Sequence, residues 1–353
     1  MRIRLALVDK DPNYLSRIAK AFNAKYSDKI QMYTFTDYDN AIAETSSIRI
    51  DVFVVNSSFD VDFSALPKKC GFAYLVDSNG IATLNGQKTI CKFQRIDLVY
   101  RQILNVYSEN SEIVSKAINE NKHCKVIAFT AVSGGIGNSS MAAACALRFA
   151  SKGKKVIYIN LEKFSATEIF FDAEGQFSMS DIIFALKSKK SNVYMKLESF
   201  VRLDSRGVYF LPKPKIALDM VEFKSDEILS LISEITNVGD YDYIIIDTEF
   251  KLSDEFMELC DEFDSIVFIG DGSEVSNSKM QSVVNSLLVL EKNNDITIVP
   301  KISLIYNKFS NKTSRYFDNP NIQNIGGAPR YDNATTRQVV EQLSRMGMLD
   351  RLS

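Results

Sequence analysis

The stretch VIAFTAVSGGIGNSS, Val126 to Ser140, decides how the rest of the chain is read. Seven residues of nearly unbroken apolar character, Val126–Val132, form a strand buried on both faces. Glycines follow at 134, 135 and 137, then hydroxyls at Ser139 and Ser140, where a helix running to about Ser151 begins. A strand–glycine loop–helix order points several backbone N–H groups at one spot. The helix N-terminus adds partial positive charge there. Such a loop suits a phosphate anion, and a hydroxyl at the helix start suits Mg²⁺. The cationic side chain usual in such loops is absent: the pattern G-x-x-x-x-G-K-[ST] would need glycine at Val132 and lysine at Asn138. On this loop alone, a tight β–α turn that binds nothing is equally well supported.

Three further strand ends favour a site. The run YDYIIIDT closes on Asp247, a carboxylate placed to hold a magnesium-bound water, or a simple turn former. The strand after the loop helix closes on INLE, so Glu162 either orients a water near a terminal phosphate or is solvated. The run IYNKF ends a later strand at Asn307, whose amide can pair with an adenine edge or make an Asx turn. All lie at carboxyl ends of strands, where ligands bind in doubly wound sheets.

Outward from this core, 353 residues suggest two domains, and 46% apolar content is ample for two cores. Net charge is −2, with no basic excess pointing to nucleic acid or an anionic membrane surface. Five scattered cysteines form no disulfide framework, and a single histidine, His123, removes most zinc and Ser-His-Asp readings. The opening MRIRLALVDKDP has too short an apolar run for a signal peptide, and no run reaches membrane-span length. The expected compartment is therefore the cytoplasm.

A first β/α alternation covers residues 1–108. Strands are expected at Ile3–Val8, Ile30–Phe35, Asp51–Asn56, Phe72–Val76 and near Thr89–Cys91. Helices are expected after Asp11-Pro12 (cap and first turn), at Tyr38–Thr45 and at Ile96–Tyr107. This five-fold alternation predicts a parallel sheet covered on both faces. Residues 109–124 are polar and read as a linker, with His123 exposed within it. The alternation resumes over 125–353, with strands at Val156–Asn160, Val208–Leu211, Tyr243–Asp247, Ser265–Gly270 and Ile302–Asn307. Intervening helices are expected at Ser180–Lys189, Ser225–Val238, Ser253–Cys260 and Glu274–Lys292, and a last one at about Ala334–Arg345. Its apolar residues Val339, Val340, Leu343 and Met346 favour core packing over an amphipathic membrane anchor. The fold class is α/β, with two doubly wound parallel-sheet domains.

With those residues placed, the second domain resembles the ParA/MinD group of deviant P-loop ATPases. That group reads K-G-G-x-G-K-[ST]-[ST] where this chain has Ser133 to Ser140. The DYIIIDT strand (242–248), the EVS helix start (274–276), the adenine-reading N-[KR] at Asn307 and Lys308, and the I-P-Y-D-like APRYD (328–332) follow in family order. The resemblance implies ATP with Mg²⁺. Gly134, Gly135, Ile136, Gly137, Asn138, Ser139, Ser140, Asn307, Lys308, Pro329 and Arg330 would bind the nucleotide, Ser139 and Asp247 the metal, and Glu162 and Asp247 would serve catalysis. The departures are as informative. The family's signature lysine is Ser133, the P-loop lysine is Asn138, the first acid after the second strand is Asn160, and the proline after D-T is Glu249. Binding with little or no hydrolysis is therefore expected, with Lys163, Lys251 or Lys279 as candidate replacement cations.

The first domain resembles a response-regulator receiver. Asp9 and Asp11 look like the metal-binding acids and Lys92 like the late lysine. The phospho-acceptor position is Asn56, which cannot be phosphorylated, and the switch threonine position is Val76 or Asp77. A pseudo-receiver fused to a lysine-poor ParA/MinD-like domain resembles the TadZ/CpaE family of Tad (Flp) pilus assembly. That resemblance implies a homodimeric cytoplasmic scaffold that marks a cell pole and recruits secretion machinery. It leaves peripheral membrane association open and expects no nucleic acid. An active ATPase cycling on and off partners, and a receiver-containing transcription regulator, are the alternatives.

Overall fold

The computed structural model of the chain describes residues 2–45, 47–67, 70–110, 124–188, 193–238, 240–294 and 296–353. The expected linker, apart from its ends, and His123 lie outside the described residues. The chain forms two compact units.

In the first unit, β1 (Ile3–Val8), α1 (Pro12–Tyr26), β2 (Ile30–Phe35), α2 (Tyr38–Thr45), β3 (Val52–Asn56), β4 (Gly71–Val76), β5 (Thr83–Leu84), β6 (Gln87–Cys91) and α3 (Ile96–Asn110) follow in order. The sheet runs β2-β1-β3-β4-β6-β5. All pairings are parallel except β5 with β6. The two-residue period of β1 builds both layers at once. Leu5 and Leu7 join the core with Leu15, Ile18, Phe22, Ile103 and Leu104, while Ala6 and Val8 face Tyr38 and Ala41. The five-fold alternation needs correction in its helices. Among the described residues β3 and β4 are joined without a helix, because SSFDVDFSALPKK lacks a 3.6-residue apolar period and carries Pro67.

This unit also takes in α7 (Val193–Phe200), which occurs much later in the chain. Its Leu197 and Phe200 are buried, and Met195 packs against the core. Glu198 accepts from Tyr100 Oη at 3.1 Å and from Lys29, and Tyr100 stacks on Tyr26 with ring centroids 4.0 Å apart.

The receiver-like acids are satisfied internally. Asp9 is buried and accepts from Lys92 Nζ at 2.9 Å, from Asn56 Nδ2 at 2.8 Å and from the Asp11 backbone N–H at 2.8 Å. Asp11 caps α1, accepting from the N–H groups of Asn13 and Tyr14. One ammonium and two amides thus offset the buried charge of Asp9.

The second unit contains β7 (Lys125–Thr130), α4 (Asn138–Ser151), β8 (Val156–Asn160), α5 (Thr167–Phe170), α6 (Met179–Ser188), β9 (Arg202–Leu203), β10 (Val208–Phe210), α8 (Leu218–Val221) and α9 (Ser225–Val238). There follow β11 (Tyr243–Asp247), α10 (Asp254–Asp261), β12 (Ser265–Gly270), α11 (Glu274–Asn294), β13 (Ile302–Phe309), β14 (Gln323–Pro329) and α12 (Thr336–Ser344). The sheet order is β14-β13-β12-β7-β11-β8-β10-β9. It is parallel except for β9 with β10. Asp247 stands in register with Phe129 on β7 and Asn160 on β8, so three strand ends meet at one level.

The small side chains of MAAACAL let α4 lie close on the sheet, and Met141 to Leu147 are all buried. On its far side lie Val340 and Leu343 of α12, with Leu349 and Leu352 beyond, all buried in the same core. Arg148 grips Asp350 through two bonds of 2.9 and 2.7 Å. Exposing those four side chains to form a membrane anchor would forfeit about 1.5–3 kcal/mol each. The last helix is therefore core, as its apolar spacing predicts. Among the described residues no helix is long and apolar enough to cross a membrane.

Candidate functional site

The glycine loop joins β7 to α4 through two left-handed turns, Gly135 at φ 73° and Gly137 at φ 93°. Gly137 is also the N-cap of α4 and offers no side-chain cap, so the first-turn amides are free for a ligand. Its glycine identity is enforced twice. The left-handed φ disfavours any side chain, and a Cβ there would lie 2.4 Å from Asn307 Nδ2.

A cleft of about 470 Å³ opens over the loop. Its floor is residues 131–140, and its walls are Glu162, Thr248, Glu249, Phe250 and Lys308. Of the expected nucleotide-binding residues, Gly134, Gly135, Ile136, Gly137, Asn138, Ser139, Ser140 and Lys308 line it, and so does the expected catalytic Glu162. Asn307 stands behind the loop, buried, with its Nδ2 donating to the Ile136 carbonyl at 2.7 Å. Pro329 and Arg330 are not among the lining residues, and Arg330 pairs with Asp332 at 3.2 Å.

Asp247 also lies behind the cleft wall and is fully buried. Its carboxylate is held by three short side-chain bonds. Asn138 Nδ2 donates to Oδ1 at 2.7 Å, and Tyr158 Oη and Asn160 Nδ2 each donate to Oδ2 at 2.7 Å. Burial, and then the charge of Glu162, push this carboxyl up to about 7, against the opposing pull of its hydrogen bonds to Tyr158, Ser139 and Asn138. The same environment raises the Tyr158 phenol, chiefly through burial. Glu162 accepts from Ser139 Oγ at 3.3 Å and from Asn160 Nδ2 at 3.2 Å, and its own N–H donates to Asn160 Oδ1 at 2.9 Å.

The oxygens that face the cleft are thus Ser139 Oγ and Glu162, with Asp247 one layer deeper. Among the described residues no group of three or more His, Cys, Asp or Glu side chains is gathered for a metal. A divalent ion here would depend on Ser139, Glu162 and the ligand's own phosphates. The donor set fits Mg²⁺ delivered with a polyphosphate better than Mg²⁺ alone.

Three roles were not legible in the sequence. Asn138 is more than a lost lysine: its amide bridges Asp247 and the Phe129 carbonyl, the latter at 3.2 Å, while its Oδ1 is buried without a partner. Tyr158 and Asn160 share one face of β8, and their i, i+2 spacing was the available signal. Of the three replacement cations expected, none lines the cleft, and Lys251 pairs with Glu249 at 3.4 Å. The lining cation is Lys308.

Residues 1–108 match the family model described as TadZ-like, receiver domain. No curated protein matches the chain by sequence. Among solved structures, the ParA family ATPase from Chlorobium tepidum TLS aligns at 20% identity and TM-score 0.50, over 65% of this chain and 95% of that one. The MinC:MinD cell division protein complex of Aquifex aeolicus gives 17% and 0.49, over 65% and 96%. The septum site-determining protein MinD of Pyrococcus horikoshii OT3, complexed with Mg-ADP, gives 15% and 0.46, over 63% and 94%. The first of these shows the fold of a ParA-type P-loop domain. Receiver domain and P-loop fold together match a TadZ/CpaE-like protein.

Proposed function

We propose that this protein binds ATP with Mg²⁺ in the glycine-loop cleft, hydrolyses it weakly or not at all, and uses the bound nucleotide to hold a homodimeric scaffold for Tad (Flp) pilus assembly. The observation that carries this reading is Asn138 bonded to Asp247 where a P-loop lysine would stand, beside an intact amide cradle. Loss of one charge-assisted contact costs about 1.5–3 kcal/mol, or roughly ten- to a hundredfold in affinity, which leaves micromolar binding within reach. Cationic groups at a transferring phosphoryl are worth about 10³–10⁵ in rate, and two lysines are missing. Binding therefore survives a loss that hydrolysis does not.

Within the chain the roles divide by depth. The loop amides and the α4 terminus cradle phosphate oxygens. Ser139 and Glu162 hold Mg²⁺, which supplies charge neutralisation when bound. Asp247 fixes Asn138 and Asn160 from behind. The scaffold's site of action is the cytoplasm at a cell pole, where it recruits secretion machinery. A TadZ-like receiver and a ParA-type fold in one chain support that assignment.

The test is calorimetric titration of the full chain with ATP and ADP, with and without Mg²⁺, alongside phosphate release and sedimentation. Micromolar binding, turnover no greater than that of Ser139→Ala, and a nucleotide-dependent dimer are expected. A folded protein that gives no heat at saturating Mg-ATP sinks the proposal, and brisk turnover replaces it with a cycling ATPase. A fluorescent fusion spread evenly through the cell would remove the polar role.

A further inference from the structure

The sequence places Lys308 beside a base-reading asparagine, yet its ammonium is elsewhere. Nζ lies over the glycine loop and donates to the Gly135 carbonyl at 2.5 Å. This position requires an unusual backbone. Lys308 has φ 57°, left-handed for a non-glycine residue, and sits at a register shift in the pairing of β13 with β14. A side chain with a Cβ occupies that region at an energetic cost, so the surrounding structure must hold it there.

The residue before it supplies the hold. Asn307 bonds the Ile136 carbonyl, so successive side chains pin the end of β13 to successive carbonyls of the loop. Gly137 leaves no spare volume against Asn307, which holds that amide in place. Among the described residues lining the cleft, Lys308 is the one Lys or Arg side chain, set against Glu162 and Glu249. Its carbonyl contact uses one of three ammonium donors, and the residue is exposed enough to turn toward a ligand.

We infer that Lys308 is the phosphate-gripping cation of this chain, supplied from the end of β13 in place of the lysines missing at Ser133 and Asn138. The inference rests on the nucleotide reading above and extends it to a named residue. The ligand class is a polyphosphate, and the lysine reaches it within the same chain, so the contact does not wait on a dimer. Lys308 would serve binding and would leave the base unread.

The test titrates the full chain with two probes, Mg-ATP and inorganic tripolyphosphate, and with adenosine as a phosphate-free control. Lys308→Met removes the charge, Lys308→Asn removes it with a residue that accepts positive φ, and Lys308→Arg restores it. Lys279→Met, a lysine outside the cleft, is the charge control. Both neutral variants should bind either polyphosphate about ten- to a hundredfold more weakly. The arginine variant and Lys279→Met should stay within a few-fold of wild type, and the salt dependence of binding should flatten only in the neutral variants. A purely loop-pinning role would leave the salt dependence unchanged and would weaken adenosine as much as ATP. Neutral variants that bind Mg-ATP like wild type overturn the inference and leave the nucleotide reading standing. Lysine-dependent binding of tripolyphosphate without any binding of ATP would do the reverse. Binding of neither probe by wild type ends both.

Discussion

The side-chain amide of Asn138 donates to Oδ1 of Asp247 at 2.7 Å, joining residues 109 apart in the chain. A neutral donor stands where a P-loop would carry a lysine. Burial, and then the charge of Glu162, push the carboxyl up to about 7. Four expectations follow from this network and from its counterpart in the first unit.

Stability should depend on pH through Asp247. Its folded value is raised from the usual 3.8 to about 7, so between those values the folded state holds more protons than the unfolded one. Stability contributed by this group is then greatest below about pH 4, falls as pH rises to 7, and levels off above. Urea midpoints from pH 4 to 8 should show this fall in wild type and a flatter profile in Asp247→Asn. Parallel profiles would contradict the assignment.

Replacing Gly137 by alanine should destabilise the second unit by roughly 1–3 kcal/mol, because a left-handed backbone and a clash with Asn307 act together. Gly134→Ala meets nothing within 4 Å and should be near neutral. Thermal melts of the pair read this directly.

Asn138→Lys should place an ammonium beside Asp247 and pull its carboxyl back toward ordinary values. The pH-dependent fall in stability should shrink. Mg-ATP should bind about tenfold tighter, since a charge-assisted contact is restored. Urea midpoints and calorimetry on the variant check the two effects; an unchanged pH profile would show that the introduced ammonium does not reach the carboxylate.

In the first unit, Asn56 donates to Asp9 at 2.8 Å. Asn56→Asp converts that bond into a repulsion between carboxylates and should cost about 1–3 kcal/mol in denaturant unfolding. Wild type incubated with acetyl phosphate and Mg²⁺ should gain no phosphoryl mass by intact-mass spectrometry, and an added phosphoryl group on the first unit would overturn this account.

Much of the architecture can be read directly from the chain. Buried strands such as VIAFT and YIIID are runs of apolar, largely β-branched residues bounded by turn formers, and α4 announces itself by glycines before and after. The elements that escaped are those whose local signal is weak. The strand β14, QNIGGAP, has two adjacent glycines and low strand propensity, and it forms because β13 offers it an edge. Helix α7, VYMKLESF, is only eight residues long, and its place on α3 is set by burial of Leu197 and Phe200.

The sequence alone determined the order of strands, loop and helices, the loss of both loop lysines, and the replacement of the phospho-acceptor by Asn56. These are local facts, fixed by residue type and spacing along the backbone. Tertiary structure alone decided which side chains took over: Asn138, Tyr158 and Asn160 around Asp247, and Lys308 above Gly135. Those contacts join residues from about ninety to more than one hundred and seventy positions apart, and they depend on which strands neighbour one another in the sheet. Spacing along a chain carries no record of that adjacency, because side chains meet only after burial of apolar faces has fixed the strand order.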